Sequence, residues 1–314
     1  MKRIYFALIV FAITFQSVSQ TTNDVGKIAL SVVMPENNDA LNASQLSKLE
    51  TKILQIVNIS GLAASGYNNN FIIYPKFAIF ESNIVEGGMQ NITIVTAELS
   101  LFIKQVDNNV LFSVISKPLK GIGSSKELAI TNAITKININ DVDFTTFIEK
   151  GKLRIITYYE TTCGDILKKA DSYSKMNQYE QALGLLMSVP EEVSSCYSQI
   201  QEKSIEVYKA YQSQNCSEML LKAKTAIAGN DYLIALNILS NIDPSASCFK
   251  EVEILLKTTE TKLKAEEKKQ WDFQMKQYND NVSLEKRRID AIKEIAVSYY
   301  KSQPQNLNYN YIIK

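Results

Sequence analysis

The spacing of hydrophobic positions changes once along this chain, from mixed two- and four-residue periods to helical periods alone. Ile28, Leu30 and Val32 alternate, which predicts a half-buried strand. From Asn42 the period lengthens. Leu46, Leu49, Ile53 and Ile56 share one helical face, Asn42 and Gln45 have capping-box spacing, and Gly61 is a stop signal. A second β region runs from Phe71 to Val85, with Pro75 predicting an edge or a bulge and Gly87-Gly88 a turn. Ile92 to Val106 predicts a long strand, Asp107-Asn108-Asn109 a hairpin turn, and Val110 to Ser116 the return strand. Gly121-Ile122-Gly123 leads into a helix with Ser124 and Glu127 as a capping box. Its predicted inner side carries Leu128, Ala129, Ala133, Ile134 and Ile137. The order β-α-β-β-β-α predicts an α/β domain over residues 22–141, a sandwich in which two amphipathic helices cover one face of an antiparallel sheet. Phe144, Phe147, Ile148, Leu153, Ile156 and Tyr159 then predict a connector helix over 142–160, broken at Gly151.

The second half repeats itself. A shift of 53 residues lays Cys163 on Cys216, Leu167 on Leu220, Lys169 on Lys222 and Ala170 on Ala223. It also lays Asn177 on Asn230, Tyr179 on Tyr232, Ala182 on Ala235, Leu183 on Leu236 and Leu186 on Leu239. Each unit resembles a tetratricopeptide repeat. Ala170, Tyr173, Tyr179, Ala182 and Leu186 match the small and aromatic positions that let two antiparallel helices pack closely, and Ala223, Tyr232, Ala235 and Leu239 repeat them. The departures are Ala226 in place of Tyr173, second helices cut short by proline, and a period longer than the usual 34 residues or so. An additional helix over about 193–212 fills the difference. The fold class expected for the whole chain is therefore α+β, with the sandwich followed by an all-α, tetratricopeptide-like helical array over 161–280.

The four cysteines belong to this repeat and allow three pairings. With helices at 163–175, 178–188 and 193–212 running up, down and up, Cys163 and Cys196 fall at one end. Cys216, opening the next helix, lies roughly 25 Å from Cys196, far beyond the reach of about 7 Å between Cα atoms that a disulfide allows. The expected bonds are Cys163–Cys196 and Cys216–Cys248. The rivals are a metal site or a redox centre, but the chain has no C-x-x-C and no histidine.

The N-terminus reads as an export address. Lys2 and Arg3 precede an uncharged apolar run from Ile4 to Phe15, and Ser17-Val18-Ser19 supplies the small residues of a cleavage site, so residues 1–19 are expected to be a signal peptide. The apolar run is too short for a membrane span of about 20 residues. The expected location is the periplasm, an outer-membrane-associated position or the extracellular medium, with no membrane span in the mature chain. At the other end, residues 281–314 predict an amphipathic helix with Ile289, Ile292, Ile295 and Ala296 as its stripe, then a tail after Pro304. The helix either folds back on the repeats or binds a partner.

The long hairpin 92–116 and the segment Lys120-Gly121-Ile122-Gly123-Ser124-Ser125-Lys126-Glu127-Leu128-Ala129 resemble the small α/β domains of the CsgG-type curli secretion channel and of FlgT-type flagellar proteins. That resemblance covers about a third of the chain and implies envelope assembly work.

Composition narrows the chemistry. Lys plus Arg is 34 and Asp plus Glu is 33, a balance without a nucleic-acid footprint. The absence of histidine excludes a Ser-His-Asp triad, a Cys-His dyad and a His-ligated zinc. Gly121-x-Gly123 lacks the Walker lysine and the third glycine of a dinucleotide loop. Ser-x-x-Lys occurs at Ser172, Ser247 and Ser298 without its partner motifs. Asp141/Asp143 and Glu191/Glu192 are carboxylate pairs at helix boundaries, where the first pair suits the helix dipole. The expectation is a non-catalytic adaptor or scaffold in envelope assembly, without cofactor or metal. Its expected partners are envelope proteins or further copies of itself, with Tyr173, Tyr179 and Tyr232 as candidate contacts. The alternative is a small-ligand-binding or enzymatic envelope protein using the α/β domain.

Overall fold

The computed structural model describes residues 26–35, 40–64, 70–86, 91–280 and 283–302. The expected signal peptide, the Gly87-Gly88 turn and the tail after Pro304 lie outside them. The fold is mixed α and β, a four-stranded sheet followed by helices. The first half runs β1 (Leu30–Val32), α1 (Ala43–Ile59), β2 (Phe71–Val85), β3 (Ile92–Gln105), β4 (Leu111–Gly123) and α2 (Lys126–Thr135), the order expected from the hydrophobic pattern. The sheet order is β1-β2-β3-β4. It is mixed, not purely antiparallel: β1 lies parallel to β2 because α1 carries the chain back over one face before β2 begins.

Local chemistry explains these boundaries. Asn42 and Gln45 form a reciprocal capping box at 3.0 Å in both directions. At α2 the cap is Ser125, one residue later than expected, its Oγ accepting from the Leu128 N–H at 3.3 Å. Ala129, Ala133, Ile134 and Ile137 are buried as expected, but Leu128 points outward (54% exposed) and Ile130 joins the buried side. Gly121 and Gly123 are not a loop. They end β4, and a Cβ on Gly121 would overlap the Ala129 carbonyl, while one on Gly123 would stand 2.6 Å from the Ala129 nitrogen. The glycines let α2 lie directly on the strand, and no space for a phosphate remains between them.

The connector and the first repeat helix are one element, α3 (Val142–Lys175), 34 residues long. It does not break at Gly151. A Cβ there would meet Ile103 Cδ1 at 2.5 Å, so the glycine admits the sheet to the helix surface. Leu153, expected inside, is 62% exposed, and Ile155 takes the buried place. Asp141 caps α3 and joins Asp143 in ion pairs to Lys117, which holds the Asp141 carboxyl below its ordinary range. Glu191 and Glu192 tether the N-terminal segment: the Glu191 N–H donates to Gly26 O at 2.6 Å, and Glu192 Oε1 accepts from the Ile28 N–H at 3.3 Å.

Beyond α3 come α4 (Tyr179–Met187), α5 (Ser194–Ala228), α6 (Tyr232–Ser240), α7 (Phe249–Glu260), α8 (Ala265–Asp280) and α9 (Leu284–Ser302). The separate helix expected to open at Cys216 does not exist. No glycine or proline interrupts 194–228, and α5 runs unbroken for 35 residues. It is the third helix of the first repeat and the first helix of the second. The repeated turns share one device: Asn177 and Asn230 take left-handed backbone conformations (φ 60° and 66°), a region Asn tolerates. The Tyr179 and Tyr232 hydroxyls donate to their side-chain oxygens at 2.9 and 2.6 Å.

The disulfides are Cys163–Cys196 and Cys216–Cys248, each with Cα atoms 5.9 Å apart. Each ties the middle of a long helix to the start of the helix two elements on. They close loops of 33 and 32 residues, so each is expected to contribute alike, about 3–4 kcal/mol in the chain-entropy account. Cys163→Ser/Cys196→Ser should lower urea stability by that amount, and adding reductant to the wild type should lower it further still. Among the described residues no helix is long and apolar enough to cross a membrane. The two disulfides fit an oxidising, exported environment.

Candidate functional site

Among the described residues the helices line a groove of about 1130 Å³, walled by α4, α5 and the turn after α6 and bounded on its far side by α9. The path of α9 makes it. Ile292 and Ala296 are buried in the main core, and the Tyr300 hydroxyl donates to Gly184 O at 2.8 Å. Gly184 has no side chain because the Tyr299 ring occupies that position, 2.6 Å from where a Cβ would stand. The C-terminal helix thus folds back on the repeats.

A polar network anchors the groove's floor. Asp243, 3% exposed at its side chain, receives Arg288 in two-point fashion: Nε to Oδ2 at 2.7 Å and Nη2 to Oδ1 at 2.8 Å. The Ser245 N–H and hydroxyl add bonds to Oδ1 at 2.8 and 2.6 Å. Burial opposes ionisation of Asp243, but these donors outweigh it and hold its carboxyl down to about 2. Gln212 links this pair to α5: its Oε1 accepts from the Asp243 N–H at 3.5 Å, and its Nε2 donates to the Tyr208 hydroxyl at 3.0 Å.

The walls are aromatic and amide-rich. Tyr179 and Tyr211 meet edge to face with centroids 6.3 Å apart. Burial raises the Tyr211 and Tyr299 hydroxyls above their ordinary range, so both stay neutral donors near neutral pH. The rim is acidic. Asp243 is neutralised by Arg288 and Glu218 by Lys222 at 2.6 Å, leaving Glu180, Asp290 and Glu294 against Arg287.

Of the three tyrosines singled out by sequence, only Tyr179 lines this groove. Tyr173 packs against the core with Lys169 over its ring, and Tyr232 lies half-buried under Lys262. Tyr208, Tyr211, Tyr299 and the Asp243–Arg288 pair line the groove without being marked by any sequence motif. The available signal was Tyr208 and Tyr211 at helical spacing beside Gln212. Among the described residues no cluster of three or more Cys, Asp or Glu side chains is arranged to hold a metal, and all four cysteines are bonded. No protein-family model matches the chain, and neither does any curated protein or solved structure.

Proposed function

We propose that this chain is an exported, non-catalytic adaptor of the cell envelope whose helical half receives a segment of a protein partner in the α4–α5–α9 groove. The observation that carries the reading is the lining. Neutral tyrosine hydroxyls and amides offer paired donors and acceptors to a polypeptide backbone, and tyrosine supplies contact area at low entropic cost. The surplus of carboxylates on the rim favours a segment bearing Lys or Arg. The tripartite N-terminus and the disulfides support export. The tetratricopeptide-like sequence pattern supports a partner-presenting role for the helices.

Fluorescence anisotropy with otherwise matched basic and acidic peptide libraries tests this. Basic members should bind preferentially, and Tyr179→Ala/Tyr211→Ala should weaken them by roughly tenfold or more, the expected range for central aromatic anchors. Equal binding of acidic and basic peptides, or an unaffected double variant, would overturn the proposal.

A further inference from the structure

A second surface lies away from the groove and stands independently of it. β1 pairs with β2 only across Phe71–Ile73. The Ile73 carbonyl accepts from the Val33 N–H at 3.0 Å, so alternate residues from Ile73 turn their backbone groups outward, away from β3. The next is Pro75, which has no N–H to continue the ladder. From there to Val85, β2 pairs on one side only among the described residues, leaving the outward groups of Phe77 and Ile79 without a ladder. The opposite edge of the sheet is guarded. β4 carries Pro118 and Lys120, its Phe112 carbonyl is taken by Arg154 at 2.9 Å, and its Ile122 N–H by Asn132 at 3.2 Å.

The open stretch of β2 is complementary to itself. Lys76, Ala78 and Glu81 sit on the face opposite the core residues Ile73 and Phe77, paired across β3 with Ser100, Glu98 and Thr96. Lys76 is exposed and makes no ion pair among the described residues, and Glu81 receives only a 3.5 Å contact from Asn83. We propose that a second copy of this chain docks on this edge, antiparallel, about a two-fold axis at Ala78. Ala78 then faces the partner's Ala78. Phe77 and the partner's Ile79 exchange both backbone bonds, as do Ile79 and the partner's Phe77. By count Lys76 falls opposite the partner's Phe80, and the bulge brings Glu81 level with that position, so Lys76 reaches the partner's Glu81 and Glu81 the partner's Lys76. The bulge between Ile79 and Glu81 confines the ladder to Phe77–Ile79, and the long charged side chains span the displacement. Phe80, 62% exposed beside the seam, supplies apolar cover. So short a ladder makes the association reversible and concentration-dependent.

The register is tested by Ala78→Cys in the full exported chain. All four native cysteines are bonded, so the new thiol is the only free one. At a non-hydrogen-bonded antiparallel pair the Cα atoms stand about 4.5 Å apart, inside the disulfide range of about 4.4–6.8 Å. Mild oxidation should convert Ala78→Cys to a covalent dimer while Lys120→Cys on β4 stays monomeric. Adding Glu81→Lys should slow cross-linking roughly tenfold through two like-charge pairs, and Lys76→Glu/Glu81→Lys should restore it. Circular dichroism verifies that each variant is folded. Cross-linking of Ala78→Cys no faster than Lys120→Cys, or a double charge swap that fails to rescue, would overturn the proposal.

Discussion

Gly121→Ala is expected to abolish the folded sheet-and-helix half of the protein. The added methyl would occupy the position of the Ala129 carbonyl oxygen and press on the Ala133 nitrogen. Both are backbone atoms in the middle of α2, so no rotamer change relieves the overlap. Overpacking by a methylene in a yielding core costs about 1–3 kcal/mol. Here the whole helix must move off β4, losing the burial of Ala129, Ala133 and Ile134, and the expected cost is about 4 kcal/mol or more. Gly164→Ala is the contrasting control. Nothing lies within 4 Å of its Cβ position, and it sits inside α3, so alanine should stabilise by about 0.5–1 kcal/mol. Urea denaturation followed by circular dichroism separates the two. If Gly121→Ala retains wild-type stability, the close approach of α2 to β4 is wrong.

The second large effect is expected at Arg288. Arg288→Ala leaves the Asp243 carboxylate buried without its charge partner, a loss of about 3–5 kcal/mol if the site stays closed. The cheaper response is for α9 to lift and admit water, so amide exchange protection over 284–302 should fall before global stability does. Asp243→Asn/Arg288→Met removes both charges and should recover most of the loss. Acid probes the same contact. Asp243 is held at about 2 in the folded state, against an ordinary value of 3.8. Its contribution is therefore complete above about pH 4 and fades as pH falls toward 2. Exchange in α9 should accelerate in that window in the wild type but not in the double variant. Unchanged α9 protection in Arg288→Ala would show that the helix is held by other contacts.

Much of the architecture could be read from residue order because it is local. The hairpin of β3 and β4 follows from alternation broken at Asp107-Asn108-Asn109. The first helix follows from one apolar face and one capping box. The pairs Cys163–Cys196 and Cys216–Cys248 follow from the distance that a helix puts between Cys196 and Cys216. The parts that misled depend on contacts far apart in sequence. Gly151 and Gly121 look like breakers until the neighbour occupying the missing Cβ is known, Ile103 in one case and α2 in the other. The absence of glycine and proline points to the continuity of α5, but the repeat alignment predicts a boundary at Cys216 that only tertiary packing dismisses. The groove is the least local feature. Tyr211 faces it because α9 returns across the repeats, and that return is fixed by Arg288 meeting Asp243, 45 residues earlier. Tyr232 is the repeat counterpart of Tyr179, and Tyr173 fills a tetratricopeptide-like aromatic position, but lysines cover both rings.

A partner bound in the groove between α4, α5 and α9, as proposed, must contact Tyr211. The most direct measurement places a photo-cross-linking amino acid at Tyr211, inside the groove, and separately at Leu221, on the same helix but 65% exposed and outside it. Irradiation in the native cells should give a discrete adduct from Tyr211 whose cross-linked peptide is rich in Lys or Arg. It should weaken with Tyr179→Ala and be absent from Leu221. Adducts of equal yield and identity from both positions, or none from Tyr211 while the protein is folded and exported, would contradict the account.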